Sequence, residues 1–408
     1  MTKSLVKGRP MSEMTLAPRR RPLWRLFFMP VLLLTAAAAW SAFWFYSASQ
    51  VDITADAWRA QEAQSGRVYE CARRSVAGYP FRLEVRCDGA SVSLIAQTAG
   101  ETPGQPPITA KLGEILVVAQ VYDPKLLIAE FTAPATISDR GGQSSMVANW
   151  RTARSSVVGL PAVPQRVALV FDDPSIDRVE GSARTPLARA RHIELHGRLA
   201  EGSPADHPVI ETALQIEAGS VQGVHPLLAQ PFDADVRTRL SGLRDFSPKP
   251  WPQRFREIQA AGGHVDIVQS RIQQGDVVAV AAGALSLNAE GRLEGELQMT
   301  VAGLEQVVAA LGIEKMLEQG VPQATLDRVA PGVKTQDLNN LFGALDRAIP
   351  GLGKAVKQNA SVGVAAGLNA LGKEAVLEGK KARSFPLRFV DGVVLLGPLK
   401  VAEIPPLF

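Results

Sequence analysis

The chain has 408 residues, 44 Lys plus Arg against 40 Asp plus Glu, a formal charge of +4 and only two cysteines. The excess charge belongs to the tail before residue 26: Lys3, Lys7, Arg9, Arg19, Arg20, Arg21 and Arg25 face the single acid Glu13, which leaves 37 bases against 39 acids beyond it. A nucleic-acid role therefore has little support, and the remaining residues are enough to bury a sizeable core as one large domain or two medium ones.

The first element is the uncharged stretch Leu26 to Tyr46, LFFMPVLLLTAAAAWSAFWFY. About 20 helical residues cross a hydrocarbon core of about 30 Å, so this stretch reads as a transmembrane anchor. The basic tail places the N-terminus in the cytoplasm, and Trp40, Phe43, Trp44, Phe45 and Tyr46 resemble an interfacial aromatic belt. That gives a single-pass protein with its N-terminus cytoplasmic and the chain from Ser47 on exported. A cleaved signal peptide is the competing reading, with Ser47-Ala48-Ser49 as the small-residue site. In an exported domain Cys71 and Cys87 are expected to form a disulfide, for which the chain-entropy estimate is about 3 kcal/mol.

Past the anchor, Thr54 followed by Ala55 and Asp56 reads as the cap of a separate juxtamembrane helix over 47–65, ended by Gly66. A long antiparallel β region is expected over 66–303. Phe81 to Asp88 alternates apolar and polar residues, as do the stretches around Ile193, around Leu214 and from Phe232 to Leu240. Leu285 and Leu287 pair by pattern with Leu293 and Leu297 across the turn Ala289-Glu290-Gly291-Arg292. More continuously apolar runs, Ile115 to Val121, Leu126 to Phe131 and Val167 to Phe171, read as strands buried on both faces. Alternating strands joined by turn residues argue for antiparallel pairing and against a doubly wound parallel sheet.

A helical segment is expected over 304–375. Leu304, Val307, Val308 and Leu311 fall at helical spacing, as do Leu338, Leu341, Phe342, Leu345 and Ile349, and Ser361 to Leu371 reads as a third, weaker helix. The last part, 376–408, returns to the sheet through a hairpin turning at Asp391-Gly392, with Pro386 just ahead of its first strand. The fold class is thus α+β and β-dominated: one large twisted, mainly antiparallel sheet that either curls upon itself or leaves a groove open, with two or three helices inserted before a C-terminal hairpin and one N-terminal transmembrane helix.

Reactive motifs are scarce. There is no GxSxG elbow; Gly351-Leu352-Gly353-Lys354 is followed by Ala355 rather than a hydroxyl, and a dinucleotide fingerprint lacks its last glycine. Asn359-Ala360-Ser361 matches a glycosylation acceptor that has no meaning in most bacterial envelopes. One metal candidate stands out, His192, Glu194 and His196, which a strand would place on one face with zinc-compatible ligands. Arg191 and Arg198 flank that trio, and alternating polar residues are also what a solvated sheet face presents. His207, His225 and His264 read as loop residues. No catalytic residue and no cofactor is assigned.

Gly66-Arg67-Val68-Tyr69-Glu70-Cys71, Gly78-Tyr79-Pro80-Phe81-Arg82 running to Cys87, Val121-Tyr122-Asp123-Pro124 and Leu287 to Gly295 resemble an alphaproteobacterial domain-of-unknown-function family, number 2125. The resemblance implies an inner-membrane-anchored envelope protein and supplies no activity. More loosely, the strand and turn pattern is similar to long-sheet envelope proteins related to AsmA, some of which are thought to shield lipids in a groove. The first functional expectation is accordingly a non-enzymatic, membrane-tethered protein that binds lipid or another apolar ligand on a curved sheet. The second is an envelope assembly factor with a protein partner, and the third an uncharacterised hydrolase.

Overall fold

The computed structural model describes residues 24–95, 108–138, 144–160, 163–203, 206–224, 226–247, 249–304, 306, 372–396 and 399–408. The tail before residue 24, the expected helices after Leu304 and His225 lie outside the described residues. The chain opens on helix α1 (Trp24–Gln64), which runs without interruption through the apolar span and the following polar segment. The separate juxtamembrane helix is therefore corrected. Thr54 caps nothing; its hydroxyl donates to the Gln50 carbonyl one turn back inside the continuing helix. Helix propensity through Ala55 to Gln64 carries the axis onward, and Gly66, at φ 76°, ends it.

Nineteen strands among the described residues form one antiparallel sheet. They are β1 (Arg67–Ala77), β2 (Arg82–Leu94), β3 (Ile108–Gln120), β4 (Asp123–Ser138), β5 (Ser144–Asn149), β6 (Thr152–Val158), β7 (Arg166–Asp172), β8 (Ser175–Glu180), β9 (Ala183–Arg189) and β10 (His192–Leu199) in the first half. The second half holds β11 (Ile210–Val221), β12 (Phe232–Leu240), β13 (His264–Gln274), β14 (Val277–Leu287), β15 (Leu293–Ala302), β16 (Lys373–Leu377), β17 (Lys380–Val390), β18 (Val393–Leu396) and β19 (Leu399–Glu403), with helix α2 (Trp251–Ala260) between β12 and β13. Pairing follows chain order with few exceptions, so the sheet is a long meander. Strand β4 is shared end to end by β6 and β5, and β17 by β18 and β16.

That second sharing explains Pro386, which lies inside β17 rather than ahead of it. Strand β16 stops pairing at Ser384 and β18 starts at Leu387, so Pro386 falls in the gap between them, where a missing N–H leaves no partner unserved. Asp391 and Gly392, both at positive φ, make the following turn as expected. The turn before Leu293 is also in place, between β14 and β15. His264, expected in a loop, is the first residue of β13.

A crease crosses the first half of the sheet at one level. The pairs that Ala72, Gly89 and Gly113 would make are missing from otherwise regular ladders, and Leu112 to Glu114 shifts register against β4 around Ala133 and Pro134. Farther along, β5 and β6 are separated only by Trp150 and Arg151, β7 and β8 only by Asp173 and Pro174, and β9 and β10 only by Ala190 and Arg191. The line ends at a bulge in β11, where Ala218 has φ 49°. Apolar alternation changes phase across it: Leu83, Val85 and Cys87 precede Gly89, whereas Ala90, Val92 and Leu94 follow. Cys71 and Cys87 form the disulfide, with Cα atoms 5.6 Å apart, and it straddles this crease.

Candidate functional site

Residues directly opposite one another in an antiparallel sheet share a face. Followed from strand to strand, one row reads Val76, Val85, Val117, Ala129, Ser155, Leu169, Leu195, Leu214, Val236, Ser270, Ala281, Met299 and Phe385. Eleven of its thirteen members are apolar, and the row runs roughly 60 Å at about 4.8 Å per strand. The alternation visible in each strand is thus one continuous hydrocarbon face. Its middle is only half-buried, and Leu195 remains 41% exposed. Among the described residues, only α1, the 3-10 turn Pro226–Ala229 and α2 pack on the sheet as further elements.

Two apolar cavities lie on this face. One, of about 360 Å³, is bounded by Leu227, Leu228, Phe232, Ile272, Met299 and Phe385, with Val301 and Leu304 below. The other, of about 470 Å³, lies under α2 between Leu243, Phe246, Trp251, Phe255, Leu285 and Leu407. Both volumes fall in the range of small-ligand sites, and hydrocarbon supplies nearly all of the first lining.

Helix α2 and its approach are fixed by a charge cluster. Arg254 donates to Glu257, to Asp245 and to the carbonyls of Asp245 and Ser247, and Lys249 bridges Asp245 at 2.9 Å and Glu257 at 2.6 Å. The Asp245 carboxyl is held far below its ordinary value, first by the Ser247 hydroxyl and then by Lys249 and Arg254. Burial alone would raise Glu257, but Lys249, the Arg244 backbone N–H and Arg254 override it, and its carboxyl also sits low.

The opposite face carries the polar residues. Thr152, Asp172 and His192 are cross-strand partners in one row beside the crease, and Glu194 and His196 follow along β10. The structure brings His192, Glu194 and His196 together as the sequence suggested, linked through one another. Glu194 receives His192 Nε2 at 2.8 Å and His196 Nε2 at 3.0 Å, while His192 Nδ1 meets Asp172 at 2.7 Å and the Thr152 hydroxyl donates to Asp172. Both ring nitrogens of His192 are therefore engaged by carboxylates, and its pKa is raised above 6.5 by Glu194 and Asp172. No His, Cys, Asp and Glu group with metal-holding geometry occurs among the described residues. Farther along this face, a depression of about 520 Å³ is floored by Ala168 and Ala213 and rimmed by Arg166, Arg198, Arg237 and Arg239, with Glu211 pairing to Arg198 and Arg239.

Sequence periodicity located the strands of the apolar face but not the cavities, which depend on the seating of α2 and the 227–232 turn. Asp172 and Thr152 were missed because their link to His192 is set by strand order. A family model described as an uncharacterized protein conserved in bacteria, DUF2125, matches residues 44–405, most of the chain. No curated protein matches it.

Proposed function

The chain belongs to the DUF2125 family, and we propose that it is a membrane-tethered, non-enzymatic protein of the bacterial periplasm that binds lipid acyl chains along its apolar sheet face. The single observation that carries this reading is the continuity of that face from the anchor side at Val76 to the two cavities near Phe385 and Leu285. A continuous, half-buried apolar row of this length differs from the singly scattered apolar residues of an ordinary soluble surface. The anchoring is supported by α1, whose apolar part is long enough to cross a membrane.

The full chain, purified in detergent and extracted for lipid analysis, is expected to retain phospholipid above a soluble-protein control. Leu195→Lys puts an ammonium on the exposed middle of the face at little cost to folding and is expected to lose most of that lipid. Recovery of folded wild-type protein with no lipid above the control overturns the reading.

A further inference from the structure

The aromatic residues at the end of the span do more than mark an interface; they dock the sheet. Trp40 Nε1 donates to the Pro80 carbonyl at 2.8 Å, Trp44 Nε1 to the Arg82 carbonyl at 2.8 Å, and the Ser41 and Tyr79 hydroxyls meet at 2.8 Å. Trp44 is 5% exposed and packs with Leu83 and Val121, so the β1–β2 and β3–β4 turns are both fastened to this stretch of helix. The uncharged run between Arg25 and Asp52 then fixes the depth of those turns. A core of about 30 Å occupies about 20 residues, which places its outer edge near Tyr46 when measured from Arg25. Trp40 and Ser41 lie about five residues beneath that edge, or about 8 Å. Whatever is hydrogen-bonded to them is at the same depth.

From this we infer that the β1–β2 and β3–β4 turns are immersed in the outer leaflet of the bilayer, so that the apolar sheet face opens directly onto lipid hydrocarbon. Two further observations fit this placement. Tyr79, Phe81 and Tyr122 at the turn tips are 54%, 61% and 65% exposed, aromatic where a water-facing hairpin tip ordinarily carries polar residues. The turn carbonyls are also served from within: Gly78 accepts from Arg82 N–H, Phe81 from Val121 N–H, and Pro80 and Arg82 from the two indoles. Irregular backbone at membrane depth requires that kind of satisfaction. Arg82 pairs with Glu84, and it and Lys125 have side chains long enough to reach the headgroups. The exposed Asp123 is two residues from Val121, which packs on Trp44 only about two residues beneath the edge.

The proposal deepens the lipid-binding reading and rests on it for its purpose, but it is tested separately. The full chain carrying a fluorescent amino acid at Phe81, Tyr122, Leu33 or Val376 is reconstituted in nanodiscs of phosphatidylcholine and phosphatidylglycerol, with acyl chains either brominated or not. Emission is expected to fall with brominated chains at positions 81 and 122, as at the intramembrane reference 33, and to stay constant at 376 on β16. Position 122 guards against a disturbed Trp40–Phe81 contact. Quenching at 33 with unchanged emission at 81 and 122 overturns the proposal, whatever lipid copurifies. Quenching at 81 and 122 in a protein that retains no lipid after detergent exchange supports the immersed turns and overturns the lipid-binding reading instead.

Discussion

His192 sits between two carboxylates, and its titration should be visible in stability. Its pKa is raised in the folded chain, so its contribution is complete below the ordinary value of 6.5 and is lost as pH rises through the raised value. Asp172 is lowered, first by Thr152 and then by His192, and Glu194 is lowered by His196 and His192; their contributions are present above the ordinary 3.8 and 4.5 and are lost as pH falls. The network therefore stabilises most between the carboxylate range and pH 6.5. His192→Gln is expected to show its largest stability deficit in that window and a smaller one at alkaline pH, read from urea melts across pH. A deficit independent of pH would mean that the imidazolium contributes nothing. Gly283 presents a backbone case: at φ 149°, a Cβ would run into the Glu296 carbonyl of the neighbouring strand. Gly283→Ala should cost about 3 kcal/mol in thermal or chemical melts.

At the scale of elements, α2 is held less by its own sequence than by ions at its start. Its N-terminus has no side-chain cap, and Arg254 and Glu257 are nearly buried as a pair. Arg254→Met is expected to cost about 3 kcal/mol, because it leaves Glu257 and Asp245 without their guanidinium. Hydrogen exchange should quicken first in α2 and in residues 241–247. Acid should produce the same loosening, since both carboxyls are lowered and their stabilisation disappears as pH falls below their ordinary values. Most strands and the turns at 288–292 and 391–392 were legible in the sequence because alternation and turn chemistry are local. The continuity of α1 and the position of Pro386 were not. Thr54 has the chemistry of a cap, but nothing after the span breaks the helix; Pro386 is tolerated only because two other strands stop on either side of it. The His192 cluster was legible as three residues on one face, while its acid partner Asp172 required knowing that β7 lies beside β10.

For the whole molecule, helix α1, the crease and the apolar face form one arrangement. The face begins at the strands fastened to α1, and the crease runs from those same strands to β11 before the two cavities are reached. Gly89, Asp173 and Ala218, all at positive φ, and Gly113, which makes no ladder pair, lie along that line. The polar cluster of Thr152, Asp172 and His192 lies beside that line in the middle of the sheet, and the disulfide crosses it at the end nearest α1. The bridge joins residues 16 apart and so constrains the unfolded chain by about 3 kcal/mol on loop entropy alone. Its position adds a local effect, because it ties the two sides of the crease where Ala72 and Gly89 make no ladder pair. Replacing both cysteines, Cys71→Ser with Cys87→Ser, should lower stability by about that amount and speed amide exchange in β1 to β3 on both sides of the crease. Exchange in β13 to β17, beyond the end of the crease, should quicken less. Uniformly faster exchange would show that the bridge acts only through the unfolded chain, whereas a gradient falling away from β1 would identify it as the clasp of the crease.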